Sequence, residues 1–203
     1  MADFTAKDVQ ALRQATGAGM MDAKKALEET GGDPDRAADY LREKGIAAAA
    51  KRADREQGEG VVGVYMHQQA GRPVLGVLVA LASETDFVAK SDEFQEVAND
   101  IAMHAAAARP QWILREQVPA DVLDKERDLI AAQARNEGKP DEIVDKIVSG
   151  RIESFYKDNV LVDQTFVRTD KFEGTIGELV QQLAAKMGEN ISVASIARVA
   201  VGE

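Results

Sequence analysis

The sequence of 203 residues has no cysteine, which excludes disulfide frameworks, thiolate metal sites and cysteine nucleophiles. Its only histidines, His67 and His104, lie far apart, and no H-E-x-x-H occurs. Aromatic residues make up 5% of the chain. Long hydrophobic runs are missing too. The longest strongly apolar stretch, Val74 to Ala82, is nine residues, far short of a membrane span. The first residues, MADFTAKDVQALRQ, lack the cationic start and apolar run of a secretory signal. Positive charge is in deficit: 25 Lys and Arg against 35 Asp and Glu give a formal charge of −10. Such a surface repels phosphates, so direct nucleic-acid binding is not expected. These absences predict a soluble, cytoplasmic protein with no membrane partner. What is present is a 45% hydrophobic composition, enough for a real core and against disorder.

Three short helices are predicted at the start. Thr5 is a good N-cap with Asp8 three residues on, and Val9 and Leu12 share a face. Gly17 and Gly19 interrupt that pattern. A second helix over Met20 to Glu29 ends at Gly31-Gly32, and Asp33-Pro34 opens a third, which turns Ala37, Ala38 and Leu41 inward and is expected to stop at Gly45. This predicts a three-helix module over 1–45, a helical linker over 46–57 with alternating charge, and a core over 58–203. In the core, Val61 to His67 and Pro73 to Ala82 read as strands of a hairpin with a five-residue loop. The second strand's unbroken apolar run predicts burial on both faces. A helix from Ser91 to Ala108 carries Phe94, Val97, Ile101 and Ala105 on one stripe. Two helices over 120–136 and 141–156, broken by Gly138-Lys139-Pro140, form a helical hairpin with Val122, Leu129, Ile130, Ile143, Ile147 and Ile152 inward. A helix over 176–187 and a third strand over 191–201 complete an α+β fold with a three-stranded antiparallel sheet. The third strand lies either at a sheet edge, free to pair across subunits, or under cover.

The usual signatures of chemistry fail on geometry. GEGVVG at 58–63 matches G-x-G-x-x-G but precedes a strand, whereas a dinucleotide motif follows one and opens a helix. GAGMMDA at 17–23 lacks both the third glycine and a Walker lysine, and no serine sits in a G-x-S-x-G elbow. No covalent or metal-assisted site assembles, and no cofactor is expected. The exception is ETDFVAKSDEF, residues 84–94, where Thr85 or Asp86 caps a short turn and Phe87 and Val88 stand at a β–α connection. Pattern alone favours Phe87 packed back into the core. The alternative is an aromatic wedge with a neighbouring carboxylate, offered to another protein. Met20 and Met21 pose the same choice between core and soft contact patch.

The stretch LRQATGAGMMDAKKALEETGGDPDRAADYLREKG, followed in order by YMHQQAGR, TDFVAK, DIAMHAAAARP, GKPDEIVDKIVSGRI and GENISVASIARV, resembles the bacterial elongation factor Ts family. The resemblance covers essentially the whole chain. It implies a guanine-nucleotide exchange factor for elongation factor Tu, with no covalent chemistry of its own. It implies that the N-terminal module is ubiquitin-associated-like and contacts the partner through Arg13, Met20, Met21 and Lys24. It further implies that Thr85, Asp86, Phe87 and Val88 form the tip that enters near the partner's magnesium and phosphate site, with His67 a further contact. The hairpin loop is one residue longer than the family's, and Trp112 stands where a smaller aromatic is usual. A single TDFV motif marks the short form of the family, for which a homodimer is expected.

Overall fold

The computed structural model describes residues 4–16 and 18–202; the predicted break at Gly17 lies outside them. By its contacts the chain forms two compact units. One comprises the chain up to Gly60 with Ala82–Phe94 and Val180–Ser192, the other Val61–Leu81, Gln95–Leu179 and the chain from Val193.

In the first unit, helix α1 (Ala6–Thr16) begins where Thr5 and Asp8 satisfy each other: the Thr5 N–H donates to Asp8 Oδ2 at 2.7 Å and the Asp8 N–H to Thr5 Oγ1 at 3.4 Å. Helix α2 (Met20–Glu29) ends as predicted, with Gly31 and Gly32 at positive φ and the Gly32 N–H donating to Leu27 O. Helix α3 (Pro34–Ala50) is capped by Asp33, whose carboxylate accepts from the Asp35 and Arg36 N–H groups. Val9, Leu12, Ala23, Ala26, Leu27 and Ala37 form its small core, with Ala38 and Leu41 half-buried against it.

The third helix does not stop at Gly45. It continues through Gly45 to Ala50, and the position takes glycine because a β-carbon there would sit 2.9 Å from the Ala185 Cβ. A residue that reads as a helix stop is in fact a close-packing site. Residues beyond Ala50 are turns rather than a helical linker. They are held by Arg52 donating to Ala184 O, by Asn190 donating to the Ala53 and Arg55 carbonyls, and by Ser192 donating to Gln57.

The sheet has the order β1-β2-β3, with β1 Glu59–Gln69, β2 Arg72–Ser83 and β3 Ser192–Ala200. The hairpin loop is not five residues but two, Ala70 and Gly71, at φ 51° and 78°. Both central positions at positive φ suit the twist of a tight antiparallel hairpin, which Gly71 adopts freely and Ala70 adopts under strain. The Val201 N–H donates to Val74 O, so β3 runs antiparallel to β2 as an edge strand. Helix α5 (Asp92–Ala108) packs on one face so closely that a β-carbon on Gly63 would lie 2.2 Å from the Ala98 carbonyl. On β2, Val77, Val79, Leu81 and Ser83 are buried. The expectation that β2 is buried on both faces fails, because Leu78, on the opposite face, is 47% exposed. An apolar run here reflects a central strand with one covered face.

The second unit also contains α6 (Ala120–Asn136) and α7 (Asp141–Asn159), paired as an antiparallel hairpin with Gly138 at positive φ between them. Its buried stripe is Ile130, Ala134, Val144 and Ile152. Leu129 and Ile143, predicted inward, are exposed instead: each sits one position off that stripe, about 100° round the helix. Arg115 ties this hairpin to the following turn, donating to Asp163 and Glu153 with its guanidinium 4.4 Å over the Tyr156 ring. Trp112 bridges to Val160, and its ring is tilted against Phe155 at 6.0 Å. After α8 (Ile176–Met187) the chain enters β3. The α+β class with a three-stranded antiparallel sheet is thus as expected.

His104, on α5, is fully buried. Its Nδ1 accepts the Val167 N–H at 3.3 Å, so the proton sits on Nε2, which donates to Gln164 Oε1 at 3.0 Å. Burial pushes the imidazole below its ordinary value of 6.5. The unfolded chain therefore takes up the proton first. Stability is fully present above pH 6.5 and is lost as the pH falls toward the depressed folded value. Urea midpoints measured from pH 7.5 down to 5 should show this decline, and His104→Gln should flatten it.

Candidate functional site

Strand β2 ends at Ser83, and two residues later the chain winds into α4 (Asp86–Ala89), a single turn carrying the tip residues. Thr85 occupies the N-cap position with extended φ −127° and ψ 155°, yet its side chain makes no cap bond to the helix. Its hydroxyl and N–H, with the Glu84 N–H, donate to the carboxylate of Glu189. The C-terminal side is closed locally, by Ser91 Oγ donating to Val88 O and by backbone bonds from Ala89 and Lys90. The turn is therefore fixed at both ends.

Phe87 projects from it at 84% exposure, which rules out its packing in the core. Ala89 is the buried residue of the turn and Val88 is half-buried, so the helical period that turns these two inward turns Phe87 outward. Asp86 lies beside it and pairs with Lys90 one turn on, Nζ to Oδ2 at 2.5 Å. The Lys90 hydrogen bond and charge hold the Asp86 carboxyl below the ordinary carboxylate value, and Asp86 raises Lys90 in return. The tip is thus an exposed ring flanked by an ionised carboxylate.

The other predicted contacts fall in two places. Arg13, in the last turn of α1, is exposed, as are Met20 (47%) and Met21 (74%) at the start of α2, while Lys24 pairs with Glu28 at 3.6 Å. The two methionines are therefore exposed rather than core. His67 belongs to the second unit, exposed near the end of β1, with its Nδ1 3.4 Å from the Tyr65 hydroxyl. Sequence reasoning missed Glu84, Glu189 and Asn190, which brace the tip. The sole local signal for them was the helix end at Gly188.

No group of three His, Cys, Asp or Glu among the described residues is placed to hold a metal, and no described helix is long and apolar enough to cross a membrane. GEGVVG lies at the entry to β1, where Gly63 serves the approach of α5.

A family model described as Elongation factor TS matches residues 6–203. The chain is 50% identical over 204 residues to elongation factor Ts of Desulforamulus reducens, covering 100% of this chain and 91% of that protein. It is 52% identical to the elongation factor Ts of Thermoanaerobacter sp. strain X514, over 98% of this chain and 96% of that one. To the protein of the same name from Fervidobacterium nodosum it is 47% identical, over 99% and 100%.

Proposed function

The chain belongs to the elongation factor Ts family, the guanine-nucleotide exchange factors of elongation factor Tu in translation elongation, and we propose that it releases GDP by driving the Asp86–Phe87 tip into that partner beside its magnesium and phosphate site. The observation that supports this is the 84% exposure of Phe87 on a turn fixed at both ends. A nucleotide held at nanomolar affinity is worth about 12 kcal/mol. An exchange factor binds the empty partner better than the GDP-bound one, and linkage requires that it weaken GDP by the same factor. An exposed ring supplies such a difference when the slot that receives it opens only as the phosphate site yields. Asp86 acts alongside, leaving Lys90 for the polar groups that support the metal. No bond is made or broken, so no catalytic acid, base or cofactor is involved.

The N-terminal helices form a ubiquitin-associated-like module that docks on the partner's nucleotide-binding domain through Arg13, Met20, Met21 and Lys24; the exposed methionines support this role. Thr85 and Val88 frame the tip, and His67 adds a contact from the second unit. The working compartment is the cytoplasm, and no direct contact with nucleic acid is involved. The test is release of labelled GDP from purified elongation factor Tu: acceleration by substoichiometric amounts of this chain is expected, and its absence would leave only a binding module.

The chain works as a homodimer. Val62, Val64, Met66 and Leu78 are all about half exposed on the sheet face opposite α5, an apolar surface suited to burial by a second copy. Sedimentation should give a dimer, and Leu78→Lys should shift it to monomer with the helical content unchanged.

A further inference from the structure

The tip is aimed by a residue 104 positions away in sequence. Helix α8 ends at Gly188, whose φ of +74° and N–H bond to Ala184 O reverse the chain and bring Glu189 up to the start of the turn. Oε2 of Glu189 accepts the Glu84 N–H at 3.0 Å and the Thr85 N–H at 3.1 Å, while Oε1 accepts the Thr85 hydroxyl at 2.5 Å. The exchange is reciprocal: Oε1 of Glu84 accepts the Asn190 N–H at 2.6 Å, and its other oxygen meets Arg55 at 3.4 Å. Each carboxylate thus caps backbone N–H groups of the other's segment, as a capping box does within one helix, but between two distant segments. The consequence falls on Thr85, whose hydroxyl is drawn away from the helix it would ordinarily cap.

We propose that Glu189 is a positioning residue for nucleotide exchange: by fixing the backbone of Glu84 and Thr85 it holds Phe87 in the orientation that enters the partner. This rests on the insertion of Phe87 proposed above. A four-residue turn has no stability of its own, and an exposed ring on a loose turn loses conformational freedom on docking; bracing from Glu189 removes that loss beforehand.

The test is a double-mutant cycle in labelled-GDP release from elongation factor Tu, with thermal midpoints recorded for every variant. Glu189→Ala is expected to slow release about tenfold in the Phe87 background and less than about twofold in the Phe87→Ala background, because a brace with nothing to aim has no effect. Glu189→Gln keeps an acceptor for the two N–H groups and should restore most of the rate; if the alanine variant does not fold, Glu189→Asp, which draws the carboxylate back by one methylene, takes its place in the cycle and should slow release several-fold. Full exchange by every Glu189 variant, or losses at Glu189 and Phe87 that simply multiply, overturns the proposal while leaving insertion intact. Wild-type exchange by Phe87→Ala overturns insertion itself, and this proposal with it.

Discussion

Phe87→Ala is expected to cost roughly 2–4 kcal/mol of interface energy, the range of a central aromatic hot spot, and so to slow GDP release by about 30-fold or more. The same substitution should leave the thermal midpoint of the free chain within a degree or two. A side chain 84% exposed has almost no native contact to lose, and shortening it leaves no cavity. Stability unchanged and exchange strongly reduced is a combination that a core aromatic cannot produce. Phe94, fully buried seven residues on, is the natural control: Phe94→Ala should destabilise by about 3–5 kcal/mol whatever it does to exchange. If Phe87→Ala melts early and retains its exchange rate per folded molecule, the roles assigned to these two rings are wrong.

Gly63→Ala should produce the opposite signature. Its added methyl would lie 2.2 Å from both the carbonyl carbon and oxygen of Ala98 and 2.8 Å from the Asn99 nitrogen, all backbone atoms of α5. A flexible side chain would swing aside, but a helix backbone cannot. Either α5 lifts off the sheet or β1 shifts, and the Val64 N–H bond to Asn99 Oδ1 is broken in both cases. Overpacking of this kind is expected to cost about 3 kcal/mol or more, lowering the thermal midpoint by roughly 10 °C. Gly58→Ala, with open space around it, is the matched control and should be near neutral. A Gly63→Ala protein with an unaltered midpoint would show that the approach of α5 is looser than its geometry states.

Much of this architecture was legible because local signals and tertiary packing agree. Asp33-Pro34 opens α3, Gly31-Gly32 closes α2, and the Gly138-Pro140 break separates α6 from α7, since each is a backbone requirement that few residue types meet. The misreadings fall where a neighbour distant in sequence decides. Gly45 stops no helix, because its missing side chain serves Ala185. Leu129 and Ile143 lie beside the buried stripe rather than on it, a matter of phase that composition does not resolve. The apolar run of β2 hides the difference between a strand covered on both faces and one whose second face is open. At the tip, pattern alone favoured an inward Phe87, whereas the helical turn that buries Ala89 points it out. The family resemblance reached the tip residues; nothing short of the fold reached their brace.

Trp112, packed against Phe155 in the second unit, is the chain's sole indole and hence its only strong intrinsic fluorophore. Its emission reports on the unit that holds it, whereas the turn bearing Phe87 belongs to the first. A fluorescence melt can therefore look wholly native while the turn bearing Phe87 has already come apart. Circular dichroism, which senses the helices of both units, is the necessary companion measurement, and any gap between the two curves measures how independently the units unfold.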